Sequence, residues 1–245
     1  MNKRVAVVTG GIGGLGTDIC MALAQSGRTV IAADLDVRDD RLADFKQRIN
    51  GYDVHFEAAN VADFDACGAL VQKIASHHGS LDILVNAAGI TRDGTLRKMD
   101  RVQWDAVLNV NLDSVFNMCR HAVEGMIDRG FGRVVNISSV NGQTGQFGQT
   151  NYSAAKAGMH GFSMALAQEV ASKGVTVNTV SPGYIATDMV MSVREDVREK
   201  IIQTIPVKRL GKAEEIGSIC VWLSGDDAGF TTGAEFSCNG GLHMG

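Results

Sequence analysis

Apolar residues fall along this chain in two alternating rhythms. Short β-branched runs at residues 4–9 (RVAVVT), 29–33 (TVIAA), 53–58 (DVHFEA), 81–86 (LDILVN), 133–138 (RVVNIS) and 175–181 (VTVNTVS) read as strands. Several are apolar almost throughout, as strands covered on both faces are. Longer segments with helical spacing lie between and after them, at residues 15–26, 64–77, 101–129, 152–173 and 213–223. Strand–helix alternation predicts βαβ units and an α/β, doubly wound parallel sheet with helices on both faces. Residues 233–241 (GAEFSCNGG) supply a candidate seventh strand at the edge. With only two prolines and no low-complexity linker or internal repeat, residues 1–245 are expected to form a single domain.

Bulk composition narrows the function classes. Hydrophobic content is 45%, and the formal charge of −4 gives no footprint for a phosphodiester backbone, so nucleic acid is not an expected partner. The five cysteines (Cys20, Cys67, Cys119, Cys220, Cys238) are scattered, without a C-x-x-C pair, and read as small buried hydrophobes in a reducing compartment. His77 and His78 have no third ligand at suitable spacing, so no metal site is expected; they suit a helix C-terminus, where partial positive charge is favourable. The apolar run near the N-terminus is too short for a signal-peptide core, and no segment reaches membrane-spanning length. A cytoplasmic location, with no membrane partner, is the expectation.

The first strand is followed at once by TGGIGGLG, with Gly10, Gly11, Ile12, Gly13, Gly14, Leu15 and Gly16 in the turn and at the start of a helix. Glycines there allow a sharp turn and close backbone approach to a pyrophosphate, which then rests on helical N–H groups. Position makes this more than a turn: strand before, helix after, first unit of an α/β chain, as in a Rossmann fold. No P-loop lysine follows, which disfavours a nucleoside triphosphatase. Asp34 closes the second strand, 18 residues beyond Gly16. A carboxylate there can accept from the ribose hydroxyls of NAD(H) and repels the extra phosphate of NADP(H). NAD(H) is therefore favoured; NADP(H) stays open through Arg38, and a helix-capping role for Asp34 is the plainer alternative.

Tyr152 and Lys156 stand at i and i+4 on a predicted helix and so share a face. A phenol is a poor base at neutral pH, and a nearby ammonium favours its phenolate. Such a tyrosine can exchange a proton with a substrate oxygen while hydride moves at the adjacent carbon. Ser139, at the end of the fifth strand, can donate to the same oxygen; Ser138 points to the other side by the two-residue pleat.

With these residues in view, the whole chain resembles the short-chain dehydrogenases/reductases. The resemblance rests on TGGIGGLG, NAAG (Asn86, Ala87, Ala88, Gly89), Asn111 in NVNL, Ser139, YSAAK and SPGYIAT. It implies an NAD(P)-dependent oxidoreductase with a catalytic tetrad of Asn111, Ser139, Tyr152 and Lys156. In this reading Tyr152 is the proton donor in reduction, Ser139 polarises the carbonyl, Lys156 binds the nicotinamide ribose and acidifies the phenol, and Asn111 holds a helix and a relay water. The resemblance also places Asn60 and Val61 beside the adenine, NAAG under the cofactor, and Pro182, Gly183, Ile185 and Thr187 around the nicotinamide amide. NAAG can equally serve to stabilise the central sheet. A homotetramer is implied, built on the helices of residues 101–129 and 152–173, with His160 and Phe162 facing another subunit.

The segments GITRD, GQFGQT and NGGLHMG are similar to those of the acetoacetyl-CoA reductases of polyhydroxybutyrate synthesis. That similarity implies a small-molecule acyl-CoA thioester substrate, with Asp93, Ser139, Gln146, Phe147, Gln149, Tyr152, Gly183 and Tyr184 lining its pocket. A solvated loop glutamine and a packing aromatic are the plain alternatives at these positions. The run REDVREK (residues 194–200) reads as the exposed face of a lid helix, and Arg194 is a further candidate for coenzyme A phosphates. Since those reductases mostly use NADPH, Asp34 is a departure from their pattern. Two competing functions remain at this level. One is a 3-oxoacyl-acyl-carrier-protein reductase, for which Arg129 and Lys173 are candidate contacts. The other is a nucleotide-binding regulatory protein without catalysis, which the filled tetrad disfavours.

Overall fold

The structure, a computed structural model, describes residues 3–35 and 39–245. Seven strands form one sheet: β1 (Val5–Thr9), β2 (Thr29–Asp34), β3 (Val54–Ala58), β4 (Ile83–Asn86), β5 (Gly132–Ile137), β6 (Val175–Pro182) and β7 (Glu235–Cys238). Their order is β3-β2-β1-β4-β5-β6-β7, and every pairing is parallel, including that of the edge strand β7.

The helices follow from the same rhythm. They are α1 (Gly14–Gln25), α2 (Asp39–Arg48), α3 (Phe64–His78), α4 (Arg101–Leu108), α5 (Ser114–Arg129), α6 (Val140–Thr144), α7 (Thr150–Val170), α8 (Asp188–Met191), α9 (Glu195–Thr204) and α10 (Ala213–Leu223). Asp63 caps α3 by accepting from the Ala66 amide, and Gly79 ends it at φ 85°. His77 and His78 occupy the last turn of α3. Residues 101–129 are not one regular helix, as the sequence pattern predicts. A π-helical turn, Asn109–Asp113, separates α4 from α5 and carries Asn111.

Strand pleating sorts the core into two layers. Val5 and Val7 face one cluster, with Leu70, Ile74, Met118 and Met159 from α3, α5 and α7. Ala6 and Val8 face the other, with Ile19, Leu23, Phe45, Ile216 and Leu223 from α1, α2 and α10. Burial of each such aliphatic side chain contributes about 1.5–3 kcal/mol, so the sheet is clamped from both sides. The C-terminal strand ends are thereby held in one row, and the strand order reverses between β1 and β4, where doubly wound sheets bind ligands.

Candidate active site

The glycine loop between β1 and α1 is shaped by close backbone approach. Gly10 has φ 66°, and a Cβ on it would lie 2.8 Å from the Ala88 Cα. A Cβ on Gly16 would drive into the Gly10 carbonyl, so the first turn of α1 can pack here only without a side chain. The Thr9 hydroxyl accepts from the amides of Ala87 (3.1 Å) and Ala88 (3.2 Å), tying the loop to NAAG. No side chain caps α1 at Gly13, which leaves first-turn N–H groups for an anion. Gly14 opens toward Thr187, whose side chain would be 3.4 Å from an added Cβ. Ile12 is buried and Leu15 packs on the core, so these two hold the loop by their apolar side chains. This is a cradle that a Cβ would fill, and it fits a dinucleotide pyrophosphate.

Asp34 turns back to that loop: its carboxylate accepts from the amides of Ile12 (3.3 Å) and Leu35 (2.9 Å). It is therefore part of the cradle's wall. Next to it, at the end of β3, Ala59 donates to the Asp34 carbonyl at 2.7 Å. Asn60 is exposed and turns its side chain onto the Ala62 amide, while Val61 is buried and accepts from Asn117 through its carbonyl. Arg38 lies outside the described residues.

Helix α7, the π-helical turn and the start of α6 bring Tyr152, Lys156, Asn111 and Ser139 together. Lys156, buried on α7, donates from Nζ to the Ile137 carbonyl at 2.7 Å. Burial depresses its pKa from 10.5 to about 8. The same Nζ lies 5.6 Å from the Tyr152 ring centroid, and both Nζ and the Asn111 Oδ1 border Gly89, at 3.5 and 3.6 Å from an added Cβ. Asn111 closes a pair with Ile90, accepting from its amide (2.8 Å) and donating to its carbonyl (3.0 Å). The π-helical turn supplies the aim, as such bulges do at functional sites. Ser139 caps α6 by accepting from the Asn141 amide at 3.1 Å.

One expectation changes. Burial raises the Tyr152 phenol above its ordinary value, the Ser139 hydroxyl lowers it by hydrogen bonding, and Asp93 raises it. Lys156 spends its nearest contact on a backbone carbonyl, so desolvation and not the ammonium decides the direction for the phenol. Asn86 also differs from a simple cofactor ligand: its amide donates to Asn136 Oδ1 at 2.8 Å inside the sheet, so its side chain serves the fold. Arg129 donates to the Leu81 carbonyl at 2.5 Å and lies 3.5 Å from Asp82.

The outer rim is built differently. Gln149 donates to Asp93 (3.0 Å) and accepts from Asn141 (2.9 Å), joining the loop before α7 to the segment after β4. Gln146 is exposed, and Phe147 is 88% exposed beside this link. Pro182 ends β6; Gly183 donates to the Cys238 carbonyl at 3.1 Å, and its missing Cβ makes room for Asn239. Ile185 is buried and bridges to Gly211, which leaves Tyr184 half-buried on the wall of a cavity of about 270 Å³. Arg194 is paired with Asp196 at 2.7 Å, at the exposed start of α9. Sequence reasoning missed Asn141 and the Ile137 carbonyl, both of which only strand register and loop packing reveal. Among the described residues no three His, Cys, Asp or Glu side chains converge as a metal site would need, and no helix is long and apolar enough to cross a membrane.

This geometry meets its relatives in sequence. Residues 4–198 match the short chain dehydrogenase family. The chain belongs to that family. It is an oxidoreductase working with a nicotinamide cofactor, as the motif resemblance implied. It is 59% identical to an acetoacetyl-CoA reductase of Cupriavidus necator over 100% of both chains. It is 54% identical to an acetoacetyl-CoA reductase of Allochromatium vinosum, over 98% of this chain and 99% of that one. A 3-oxoacyl-acyl-carrier-protein reductase of Haemophilus influenzae is 40% identical over 100% of both chains.

Proposed function

We propose that this dehydrogenase reduces acetoacetyl-CoA to (R)-3-hydroxybutyryl-CoA for polyhydroxybutyrate synthesis, with NADH as the preferred reductant. The observation that carries the chemistry is the convergence of Tyr152, Lys156, Asn111 and Gly89 at the strand ends beside an uncapped helix start. Identity of 59% and 54% to acetoacetyl-CoA reductases, against 40% to the carrier-protein enzyme, supports the choice of substrate.

A nicotinamide bound on the glycine cradle supplies the hydride. The chain's own residues handle the oxygen. Ser139 donates a hydrogen bond to the C3 carbonyl, and Tyr152 delivers its proton as negative charge builds there. A raised phenol pKa keeps that proton in place at neutral pH, which suits reduction. Lys156, still largely charged below about pH 8, holds the cofactor ribose and returns charge balance to the phenol. Asn111 fixes the Ile90 backbone and offers its amide to a relay water. Asp34 accepts from the adenosine ribose and disfavours a 2′-phosphate. Asp93, Gln146, Phe147, Gln149 and Tyr184 line the thioester path, with Phe147 packing on the acyl-pantetheine arm.

The 245 residues act as one catalytic domain in the cytoplasm, and subunits associate through the groove between α5 and α7. That groove encloses about 550 Å³ and is lined by Phe116, Val123, Ile127, Phe162 and Leu166. An apolar surface of this kind suits a second copy in a homotetramer. Initial rates with NADH on acetoacetyl-CoA and on acetoacetyl-acyl-carrier protein test the function. A higher kcat/KM for the coenzyme A thioester is expected. Preference for the carrier-protein thioester overturns the assignment.

A further inference from the structure

Behind Lys156, on the side away from the cleft, runs a chain of polar side chains that the chemistry above does not use. The Ser138 hydroxyl donates to the Lys156 carbonyl at 2.9 Å. His160 Nε2 lies 2.8 Å from that same hydroxyl, and its Nδ1 lies 3.2 Å from Glu235 Oε2. The Ser181 hydroxyl donates to Glu235 Oε1 at 2.7 Å. The chain thus joins β5, α7, β7 and β6 at one point.

The order serine–imidazole–carboxylate is that of an acyl-transfer triad, but Ser138 is only 4% exposed and its proton is given to a helix carbonyl. No substrate carbonyl can reach it, so it is not a nucleophile. What it does touch is Lys156, whose two ends are held by the last residue of β5 and the residue after it. Ile137 takes the Lys156 ammonium and Ser138 takes its carbonyl.

We infer that Ser138, His160 and Glu235 are positioning residues, which pin the backbone of Lys156 to β5 so that its ammonium stays seated and dry beside Tyr152. The inference rests on the reading of Lys156 given above. His160 can satisfy both neighbours by donating from both nitrogens. In that arrangement the Ser138 proton stays on the Lys156 carbonyl and the ring needs the carboxylate at β7, so cutting the chain at Glu235 loosens it as surely as removing Ser138.

The test uses the full-length Ser138→Ala, Glu235→Gln and Glu235→Asp variants, with kcat, KM and the pH profile of kcat measured on acetoacetyl-CoA and NADH. Ser138→Ala and Glu235→Gln are each expected to lower kcat about 5- to 30-fold with KM within about twofold, because a seated group is displaced while binding is kept. The alkaline limb of the profile should move to higher pH as Lys156 gains water and recovers proton affinity. Glu235→Asp should restore most of kcat. Because Glu235 is half-exposed at the sheet edge, its variants test the idea even if Ser138→Ala does not fold. A kcat within about twofold of wild type, or a limb that stays in place while only the melting temperature falls, overturns the inference. Tyr152→Phe measured in parallel separates the two levels. If it is inactive while the Glu235 variants behave as wild type, only the positioning role fails; if it stays active, the reading of Lys156 fails first.

Discussion

Under the proposed function, the cofactor end and the thioester end of the cleft are held by different physics. At the cofactor end, Gly10, Gly11 and Gly16 leave no room for a Cβ, Thr9 ties the loop to NAAG, and Asp34 bonds the loop from the next strand. Backbone packing fixes that end before any ligand arrives. At the thioester end, Phe147 is 88% exposed and Gln149 is held through other side chains, Asp93 and Asn141. Helix α9 likewise buries none of its residues. A preorganised clamp suits a cofactor common to many enzymes, while an open rim can change its substrate without disturbing the core.

The largest break in this contrast is expected at its boundary. Lys156→Met should lower turnover by about 10³-fold, because the group proposed to serve the ribose and the phenol is lost. The same variant should be more stable than wild type near neutral pH. Burial lowers the Lys156 pKa to about 8, below its ordinary 10.5, so between those values the unfolded chain binds the extra proton and wild-type stability rises with pH. Urea unfolding without cofactor should show Lys156→Met ahead by about 1–3 kcal/mol at pH 7, with the gap closing toward pH 10. A constant gap would remove buried charge as the cause.

Within the clamp, Gly16→Ala should weaken NADH binding by about 100-fold and cost about 2–4 kcal/mol, since the new methyl meets the Gly10 carbonyl. Fluorescence titration and thermal unfolding measure both; normal affinity would mean the loop is not held as described. Asp34→Ser should cut the ratio of NADH to NADPH efficiency by about 10- to 100-fold, by removing repulsion at the 2′-phosphate. An unchanged ratio in paired initial-rate assays would place the selectivity elsewhere. The smallest effect is expected at the rim: Phe147→Ala should raise KM for acetoacetyl-CoA by about 3- to 10-fold with kcat and stability nearly unchanged. A fall in kcat alone would give Phe147 a different role.

The same contrast explains what could be read from sequence. Strands β1, β4 and β5 are buried throughout and mostly apolar because both faces are covered, so periodicity and glycine punctuation were enough to find them and the clamp. Helix α2 escaped because Phe45 is its one buried residue, too little for a periodic signal. The π-helical turn at Asn111 escaped because its residues keep helical spacing, and only the extra backbone step reveals the break. Tyr152 and Lys156 were legible as a pair by their i, i+4 spacing. The direction of the phenol's shift was not, since it depends on burial and on Ser139 and Asp93, which are brought in from other elements. The chain behind Lys156 was invisible for a related reason: Glu235 lies 75 residues away from His160 and meets it only through the register of β6 with β7.

The central claim is that the Tyr152 phenol gives its proton to the ketone oxygen while the clamp independently holds the dinucleotide. The direct measurement is steady-state NADH oxidation by Tyr152→Phe with acetoacetyl-CoA, alongside titration of NADH binding to the same protein. The account predicts turnover reduced by at least about 10³-fold with NADH affinity within about threefold of wild type. Turnover within about tenfold of wild type, with the cofactor bound normally, would contradict it.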